Sequence, residues 1–222
     1  FSKFNNSKYC IGVGSGHDAL KLALLSCGIK KNDIVIVPSI TFISTWFAVS
    51  EIGAIPYPVD INYEDATINE NNLPKTISKK FKALISVNLY GNLCNYNYLR
   101  KYCLEKKLYL IEDSAQSHGA HIKDKKINIF GNLACFSFYP GKNLGSLCDG
   151  GAIVTNSKNL YNKLVKLRNY GSTKKYFHKT FGVNSRLNIL SSIFLNHKLD
   201  YLNKEIKIRK MQIDLYIKNI NW

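Results

Sequence analysis

The sequence predicts an α/β domain whose central sheet is built mostly from parallel strands. Short apolar runs typical of buried strands alternate along the chain with longer segments of helical periodicity. With 222 residues, the chain is long enough for one sizeable domain. Hydrophobic residues make up 45% of it and charged residues 21%, a composition that excludes a disordered or collagen-like protein.

In the N-terminal half, the first predicted helix covers residues 15–27, since its apolar residues recur every three or four positions. Residues 33–37 (DIVIV) predict a buried strand that ends at Pro38. The elements expected next are a helix over 41–51 and strands over 55–59 and 83–88.

The C-terminal half continues this alternation. A helix over 96–106 precedes an apolar strand over 108–112 (LYLIE). Strands over 133–138 and 152–155 flank a glycine-rich loop, and helices follow over 159–169 and from residue 185 or 186 onwards. The sequence shows neither an internal repeat nor a low-complexity linker, so we expect one continuous domain up to the last helix.

The chain is strongly basic, with a net charge of +16. From Ser157 onwards there are 14 basic and 3 acidic residues, which favours an anionic partner: nucleic acid, a membrane surface or a phosphorylated small molecule. Because no basic run is interleaved with aromatic residues as a base-stacking surface would be, we expect no nucleic-acid partner. No apolar run approaches the ~18 residues of a membrane helix, so we expect no membrane partner.

Six cysteines are present without any C-x-x-C pair, and their spacing matches neither a zinc site nor a secreted disulfide framework. Cys27 and Cys135 lie in apolar stretches and are predicted to be buried. We therefore expect no metal site and a reducing, cytoplasmic environment.

Two candidate ligand sites come early in the predicted order. Residues 12–17 (GVGSGH) form a glycine-rich turn that opens a helix, where free backbone N–H groups could hold a phosphate; a tight turn without a ligand explains the pattern equally well. Asp113 follows the apolar run LYLI directly, and a carboxylate at a strand end can pair with a metal ion or a cationic ligand. A helix N-cap is the alternative for Asp113.

Two further candidates come later. Ser137 ends a strand, and Pro140 and Gly141 then place Lys142 in a loop, where a lysine can act as nucleophile and base. Residues 170–176 and 182–187 form a basic, aromatic loop, which is either an ordinary solvent-exposed loop or an anion-binding one.

In this order, these segments resemble the DegT/DnrJ/EryC1/StrS family, the pyridoxal-phosphate-dependent sugar aminotransferases. The resemblance extends from Gly14 to about Leu202, and FSFYPGKNLG with RNYGS most resembles the branch that aminates C3 of nucleotide-linked keto-6-deoxysugars. The segments that carry it are SGHDALKLAL, VPSITFISTWFAVSEIGAIPYPVDI, VNLYG, IEDSAQSHGA, FSFYPGKNLG, DGGAIVTN, LRNYGSTKKY and GVNSRLNIL.

The resemblance implies an aspartate-aminotransferase-like (fold type I) large domain with a mixed, mostly parallel sheet between helices. Residues 1–196 would form this pyridoxal-phosphate-binding domain, shortened at its N-terminus, and residues 197–222 a helix leading towards a small C-terminal domain that is largely missing. We therefore expect a fragment or a truncated copy of a longer enzyme.

The family's functional residues match positions of this chain. Lys142 matches the lysine that binds pyridoxal phosphate covalently and acts as the catalytic base. The remaining expected roles are Asp113 at the pyridinium nitrogen, Gln116 near the ring hydroxyl, Phe42 stacked on the ring, Gly16, His17 and Ser137 at the phosphate, Asn184 at the phosphate in a neighbouring subunit of a homodimer, and Tyr139 and Lys175 at the substrate.

The expected reaction moves an amino group, with glutamate as the expected donor, to a keto-sugar nucleotide such as a dTDP-3-keto-6-deoxyhexose, for amino-sugar and surface-polysaccharide biosynthesis. Three positions depart from the family pattern: His17 replaces threonine, Cys148 glycine and Asn188 aspartate. Two alternatives are an inactive binding or scaffold protein and a pyridoxal-phosphate-dependent sugar dehydratase. Lys142 argues against the dehydratase, because those enzymes characteristically have histidine at this position.

Overall fold

A computed structural model describes residues 1–122, 125–126 and 129–220. Its centre is a sheet of seven strands, and two short hairpins lie outside that sheet. The strands are β1 (Tyr9–Val13), β2 (Ile34–Pro38), β3 (Ile55–Val59), β4 (Phe81–Val87), β5 (Tyr109–Asp113), β6 (His121–Ile122), β7 (Lys125–Lys126), β8 (Leu133–Ser137), β9 (Gly151–Thr155), β10 (Ser172–Lys174) and β11 (Phe177–His178).

Within the described residues, five α-helices accompany these strands: α1 (Gly16–Ser26), α2 (Ser44–Glu51), α3 (Tyr96–Lys106), α4 (Lys158–Leu167) and α5 (Ile189–Asn219). Two short 3₁₀ turns, Glu70–Asn72 and Leu89–Gly91, lie in connections. No helix within the described residues is both long and apolar enough to cross a membrane.

The large sheet has the strand order β1-β9-β8-β5-β4-β2-β3. The strands β3, β2, β4, β5 and β8 are parallel neighbours, and β9 runs antiparallel to both β8 and β1. The expected mixed, mostly parallel sheet is therefore confirmed. Since ligands of such sheets bind beyond the carboxyl ends of the strands, the topology brings the ends of β5 and β8 and the start of α1 to one edge.

Both faces of the sheet are covered, which explains why its central strands are apolar runs rather than alternating ones. Helices α1, α2 and α4 pack on one face, where Val35, Ile85 and Ile153 are fully buried. Helix α3 packs on the other face around Leu84 and Leu99, and α5 continues the same layer. The molecule is thus a three-layer α/β/α domain, as the sequence predicts.

Several element boundaries differ from the prediction. Helix α2 begins at Ser44 rather than residue 41, and α5 begins at Ile189, three or four residues later than expected. Strand β1 was not predicted; its pairing partner β9 lies about 140 residues away in the chain, and local sequence carries no signal of such a contact. The hairpins β6–β7 and β10–β11 were also missed, since strands of two or three residues have no readable period. The proposed domain boundary at residue 196 falls within the single helix α5 and stays a prediction.

Candidate active site

The N-terminus of α1 forms one wall of a cavity at the carboxyl ends of the parallel strands. Ser15 caps the helix, its Oγ accepting the Asp18 backbone N–H at 3.0 Å. Within the described residues, the N–H groups of Gly16 and His17 have no hydrogen-bond partner, so they remain available to an anion. A Cβ on Gly16 would lie 2.6 Å from Ser137 Cβ, so a larger residue would push the start of α1 away from β8.

Asp113 is the last residue of β5 and lines the same cavity, with only 6% of its surface exposed. Its Oδ2 accepts the Thr45 hydroxyl at 2.9 Å and its Oδ1 accepts the Ala115 N–H at 3.1 Å. Burial raises the pKa of Asp113 above its ordinary value, while these two donors and the positive charge of Lys142 act in the opposite direction. The site therefore holds a buried carboxyl group suited to pair with a cationic ligand atom.

Gln116 lies three residues beyond Asp113 and is held by the backbone of a neighbouring turn. The Tyr90 N–H donates to Gln116 Oε1 at 2.7 Å. Tyr90 adopts the left-handed conformation with φ of 57°, which aims its N–H at this side chain. With the oxygen engaged, the amide nitrogen of Gln116 is the atom left to contact a ligand.

The loop after β8 turns back on itself and presents Lys142 to the cavity. Its closure is marked by backbone hydrogen bonds from Lys142 N–H to Tyr139 O at 2.9 Å and from Ser146 N–H to Phe138 O at 2.8 Å. Lys142 is half-buried and lies at the wall of the cavity. Lys142 is therefore partly shielded from solvent, and it lines the same cavity as Asp113.

These side chains line one cavity of about 460 Å³. The predicted site residues that the structure brings together there are Gly16, His17, Phe42, Asp113, Gln116, Ser137, Tyr139 and Lys142. Phe42 and Tyr139 lie at the mouth, where each remains more than half exposed.

Asn184 and Lys175 do not line the cavity of their own chain. Asn184 is exposed, and its Oδ1 accepts the Arg186 Nε–H at 3.0 Å. Lys175 lies in the hairpin between β10 and β11, with its Nζ 5.1 Å from the centre of the Tyr176 ring. Their expected roles in a neighbouring subunit stay predictions.

All three departures from the family pattern have local partners. His17 Nε2 lies 3.1 Å from Glu51 Oε2, which also accepts Lys21 Nζ at 2.8 Å, so a shared carboxylate ties the start of α1 to the end of α2. Asn188 caps α5, its Oδ1 accepting the Leu190 N–H at 2.8 Å. The third, Cys148, is exposed in the loop before β9, and its Sγ lies 3.3 Å from Ser191 Oγ of α5.

Thr45, Asn88 and Asp149, which the sequence did not single out as site residues, lie in the site or contact it. Asn88 and Asp149 line the cavity, and Thr45 holds Asp113. Asn88 follows directly after β4, and a polar residue at the carboxyl end of a parallel strand was the available signal. Nothing in the sequence around Thr45 indicates a contact with a residue 68 positions away.

The burial of two cysteines agrees with the sequence-based expectation. Cys27 and Cys135 are buried as expected, and all six cysteines are free thiols. In the part of the chain that the structure describes, no group of three or more histidine, cysteine, aspartate or glutamate side chains could hold a metal ion.

Several transaminases are similar in sequence to this chain. A transaminase of Streptomyces venezuelae, dTDP-3-amino-3,4,6-trideoxy-alpha-D-glucose transaminase, is 43% identical over 203 residues, covering 91% of this chain and 54% of that protein. A transaminase of Aneurinibacillus thermoaerophilus, dTDP-3-amino-3,6-dideoxy-alpha-D-galactopyranose transaminase, is 42% identical over 220 residues. The match covers 99% of this chain and 61% of that transaminase. The chain thus spans only a little over half the length of these curated relatives.

The fold agrees with a solved structure of the same kind. The X-ray structure of DesV from S. venezuelae, in complex with a ketimine intermediate, superposes with a TM-score of 0.88 at 43% identity, covering 91% of this chain and 55% of that one. The aspartate-aminotransferase-like fold is thereby confirmed. The model of the DegT/DnrJ/EryC1/StrS aminotransferase family matches residues 1–221. The chain therefore belongs to this family, whose enzymes depend on pyridoxal phosphate.

Proposed function

We propose that this chain carries the cofactor site of an aminotransferase that uses pyridoxal phosphate to convert a keto-sugar nucleotide into an amino-sugar nucleotide. The observation that carries the proposal is one cavity lined by a buried carboxyl group, Asp113, a lysine, Lys142, and the N-terminus of α1. These three features match the ring nitrogen, the aldehyde and the phosphate of pyridoxal phosphate. The names of the relatives support the same class of reaction.

The residues present fit this cofactor. A dianionic phosphate suits the unpaired N–H groups of Gly16 and His17 and the nearby Ser137 hydroxyl, because a helix N-terminus carries partial positive charge. A protonated pyridine nitrogen suits Asp113, which is buried and has no cationic side chain bound to it within the described residues. The apolar ring suits Phe42 at the mouth, and the ring hydroxyl suits the amide of Gln116.

In the proposed reaction, pyridoxal phosphate supplies an aldehyde that captures amine nitrogen and a ring that accepts an electron pair. The chain supplies the proton control. Asp113 holds a proton at the ring nitrogen, which keeps the ring electron-withdrawing. Once an amino donor has taken its place on the cofactor, Lys142 Nζ would accept the proton from the donor Cα and return it to the former aldehyde carbon of the cofactor, on the other side of the transferred nitrogen.

The substrate we propose is a keto-sugar linked to a nucleoside diphosphate, most specifically a dTDP-3-keto-6-deoxyhexose, with glutamate as the amino donor. Both relatives described above are named for dTDP-linked 3-amino sugars. Tyr139 is exposed at the mouth of the cavity, three residues before Lys142, where its hydroxyl could meet the sugar. We place this reaction in amino-sugar and polysaccharide biosynthesis in the cytoplasm, where free thiols such as those of this chain are stable.

We further propose a homodimer in which each subunit completes the site of the other. Asn184 and Lys175 are exposed and lie outside the cavity of their own chain, so a neighbour is the place where they could act. Ile40, Ile43 and Phe47, near the mouth of the cavity, are each at least half exposed, which is typical of an interaction surface. In the dimer, Asn184 would reach the cofactor phosphate and Lys175 the substrate diphosphate.

Lys142→Ala tests the cofactor assignment. We expect wild-type protein incubated with pyridoxal phosphate to become yellow, and this variant to lose the covalent absorbance band and all turnover, because no other amine lines the cavity within the described residues. Lys79→Ala, at an exposed position outside the cavity, serves as a control and should keep both. A wild-type protein that never acquires the band would instead support a binding or scaffold role, and dehydration of the sugar without amination would support the dehydratase.

Lys175→Ala tests the substrate and the dimer together, in protein expressed from the complete coding sequence. We expect the affinity for the sugar nucleotide to fall by about tenfold or more, since one charged hydrogen bond is lost, while cofactor loading stays intact. Hybrid dimers of Lys142→Ala and Lys175→Ala subunits should regain turnover, because one of their two sites then has both lysines. Unchanged affinity in the single variant, or hybrids without activity, would contradict the assignment.

A further inference from the structure

The loop that carries Lys142 is a compact unit. This lysine loop, residues 139–146, closes on itself through the two backbone hydrogen bonds of Lys142 and Ser146 described above. It also turns so tightly that a Cβ on Gly145 would collide with Pro140 O. Because the loop is closed in this way, a contact that holds one part of it also holds Lys142.

Leu144 attaches the lysine loop to helix α5. Only 1% of its surface is exposed, and it belongs to the same buried apolar cluster as Leu195 and Leu202 of α5. An apolar contact of this kind brings two elements together, but it does not fix their orientation, because the hydrophobic effect has no direction. The orientation of the loop therefore depends on polar contacts with the same helix.

Two cationic side chains of α5 supply these polar contacts. Lys198 is half-buried, and its Nζ donates to Gly145 O at 3.2 Å. Further along the helix, Arg209 Nη1 donates to Oδ1 of Asn143, the residue that follows Lys142. Positions 198 and 209 are about three helical turns apart, so both donors project from the same face of α5. Hydrogen bonds from charged donors are about twice as strong as neutral ones.

The two contacts act on Lys142 only through the loop. Neither Lys198 nor Arg209 lines the cavity, and no other residue of α5 does so. The position of the Lys142 amine nevertheless matters greatly for a covalent bond, since a misplacement of about 1 Å between reacting groups can slow a reaction about a hundredfold. A helix that contributes nothing to the cavity can therefore control the reactivity of the lysine.

We propose that Lys198 and Arg209 are positioning residues that hold the lysine loop against α5 and so keep the amine of Lys142 within reach of the cofactor aldehyde. The inference rests on the proposed function, because it assumes that Lys142 bonds to pyridoxal phosphate. It goes beyond that function by assigning a role to two side chains that touch neither the cofactor nor the substrate.

The test compares two affinities at one pH, in protein expressed from the complete coding sequence. Pyridoxine 5′-phosphate lacks the aldehyde, so its affinity, measured by fluorescence titration, reports the non-covalent fit of the cavity. With pyridoxal phosphate, the Lys142 nitrogen bonds to the aldehyde carbon and water leaves, which the absorbance band follows. In Lys198→Ala, we expect the affinity for pyridoxal phosphate to fall by about tenfold, the size of one hydrogen bond from a charged group, and the affinity for pyridoxine 5′-phosphate to stay unchanged.

Three further variants support this comparison. Lys198→Arg keeps a charged donor and should recover most of the lost affinity. Arg209→Ala removes an exposed side chain, so it decides the matter if Lys198→Ala does not fold; it should show the same selective loss, of about threefold, because an exposed hydrogen bond contributes less. Lys210→Ala is the control: it removes an exposed positive charge next to Arg209 that makes no hydrogen bond with the loop within the described residues, so both affinities should stay unchanged.

The two affinities separate positioning from a general structural role. If Lys198→Ala and Arg209→Ala lowered both affinities by the same factor, the variants would damage the cavity as a whole, and the inference would be overturned. Unchanged affinities in both variants would overturn it as well, since α5 would then not hold the loop. A wild-type protein that forms no absorbance band with pyridoxal phosphate would instead overturn the proposed function.

Discussion

Thr45→Val removes a hydroxyl from the buried carboxyl group at the centre of the site while keeping the shape of the side chain. Thr45 is fully buried, and its Oγ1 donates to Asp113 Oδ2 at 2.9 Å. A hydrogen bond to a charged group contributes about 1.5–3 kcal/mol, so we expect the free energy of unfolding at pH 7 to fall by about 2 kcal/mol. In a chain of this size, that corresponds to a decrease in Tm of about 4–8 °C.

The pH dependence of this loss identifies its cause. Burial raises the pKa of Asp113, so the carboxyl group takes up its proton more readily in the folded state than in the unfolded chain. As the pH falls through that pKa, the bond from Thr45 becomes a neutral one and the difference between variant and wild type should shrink to about 1 kcal/mol. Urea unfolding at pH 7 and pH 4 measures both values.

Two controls separate this effect from packing. Thr45→Ser keeps the hydroxyl and should recover most of the pH-dependent part of the loss. Thr41→Val removes a hydroxyl that lies 2.9 Å from Thr45 Oγ1 and has no bond to Asp113, so its effect should be smaller and independent of pH. A Thr45→Val variant with the same loss at both pH values would refute the argument that Thr45 stabilises a charged Asp113.

The remaining predictions concern the phosphate wall and the buried titratable groups. Gly16→Ala should weaken the affinity for pyridoxine 5′-phosphate by about tenfold, the upper range of a helix-terminus interaction, because the added Cβ would lie 2.6 Å from Ser137 Cβ. Gly141→Ala is the control: its Cβ would meet only an ordinary contact at 3.5 Å, so the affinity should not change. Equal affinities in the two variants would contradict the assignment. Burial lowers the pKa of His118 to about 4 and raises the pKa of Glu112 to about 7, so the two groups act in opposite directions on stability. His118→Phe leaves Glu112 as the titrating group of the two, so the free energy of unfolding should fall by about 3 kcal/mol as the pH rises from about 4.5 to 7. Glu112→Gln leaves His118, so the free energy of unfolding should fall by a similar amount as the pH drops from about 6.5 to 4. Urea unfolding across this range checks both, and pH slopes of the same sign in the two variants would contradict the prediction.

The sequence predicted the central strands well because their signal is local. Runs such as the one that became β5 are apolar on both faces, since helices cover the sheet on both sides. Asp113 could be placed at a ligand-binding edge for a related reason: the carboxyl ends of parallel strands meet there, so a polar residue directly after an apolar run marks the site. The ordered motifs, through their resemblance to the family, then assigned Asp113 and Lys142 to the same cofactor site.

Short elements and edges were predicted poorly. Strand β1 owes its existence to pairing with β9, and the two strands β10 and β11 have only three and two residues. Helix α2 begins at Ser44, three residues later than its apolar pattern predicts. Such boundaries depend on contacts with distant residues, which no local pattern records.

By itself, the sequence determined the class of fold and the order of its main elements, because apolar periodicity is a property of neighbouring residues. Its motifs, through their resemblance to the family, also predicted eight residues that share one cavity. Only the tertiary structure decided which groups surround those residues. Thr45 reaches Asp113 across 68 positions, Glu51 reaches His17 from another helix, and Tyr96 links the far face of the sheet to Asn88. Each of these contacts joins polar groups of two separate elements, and packing of the layers, rather than local propensity, brings such pairs within about 3 Å of each other.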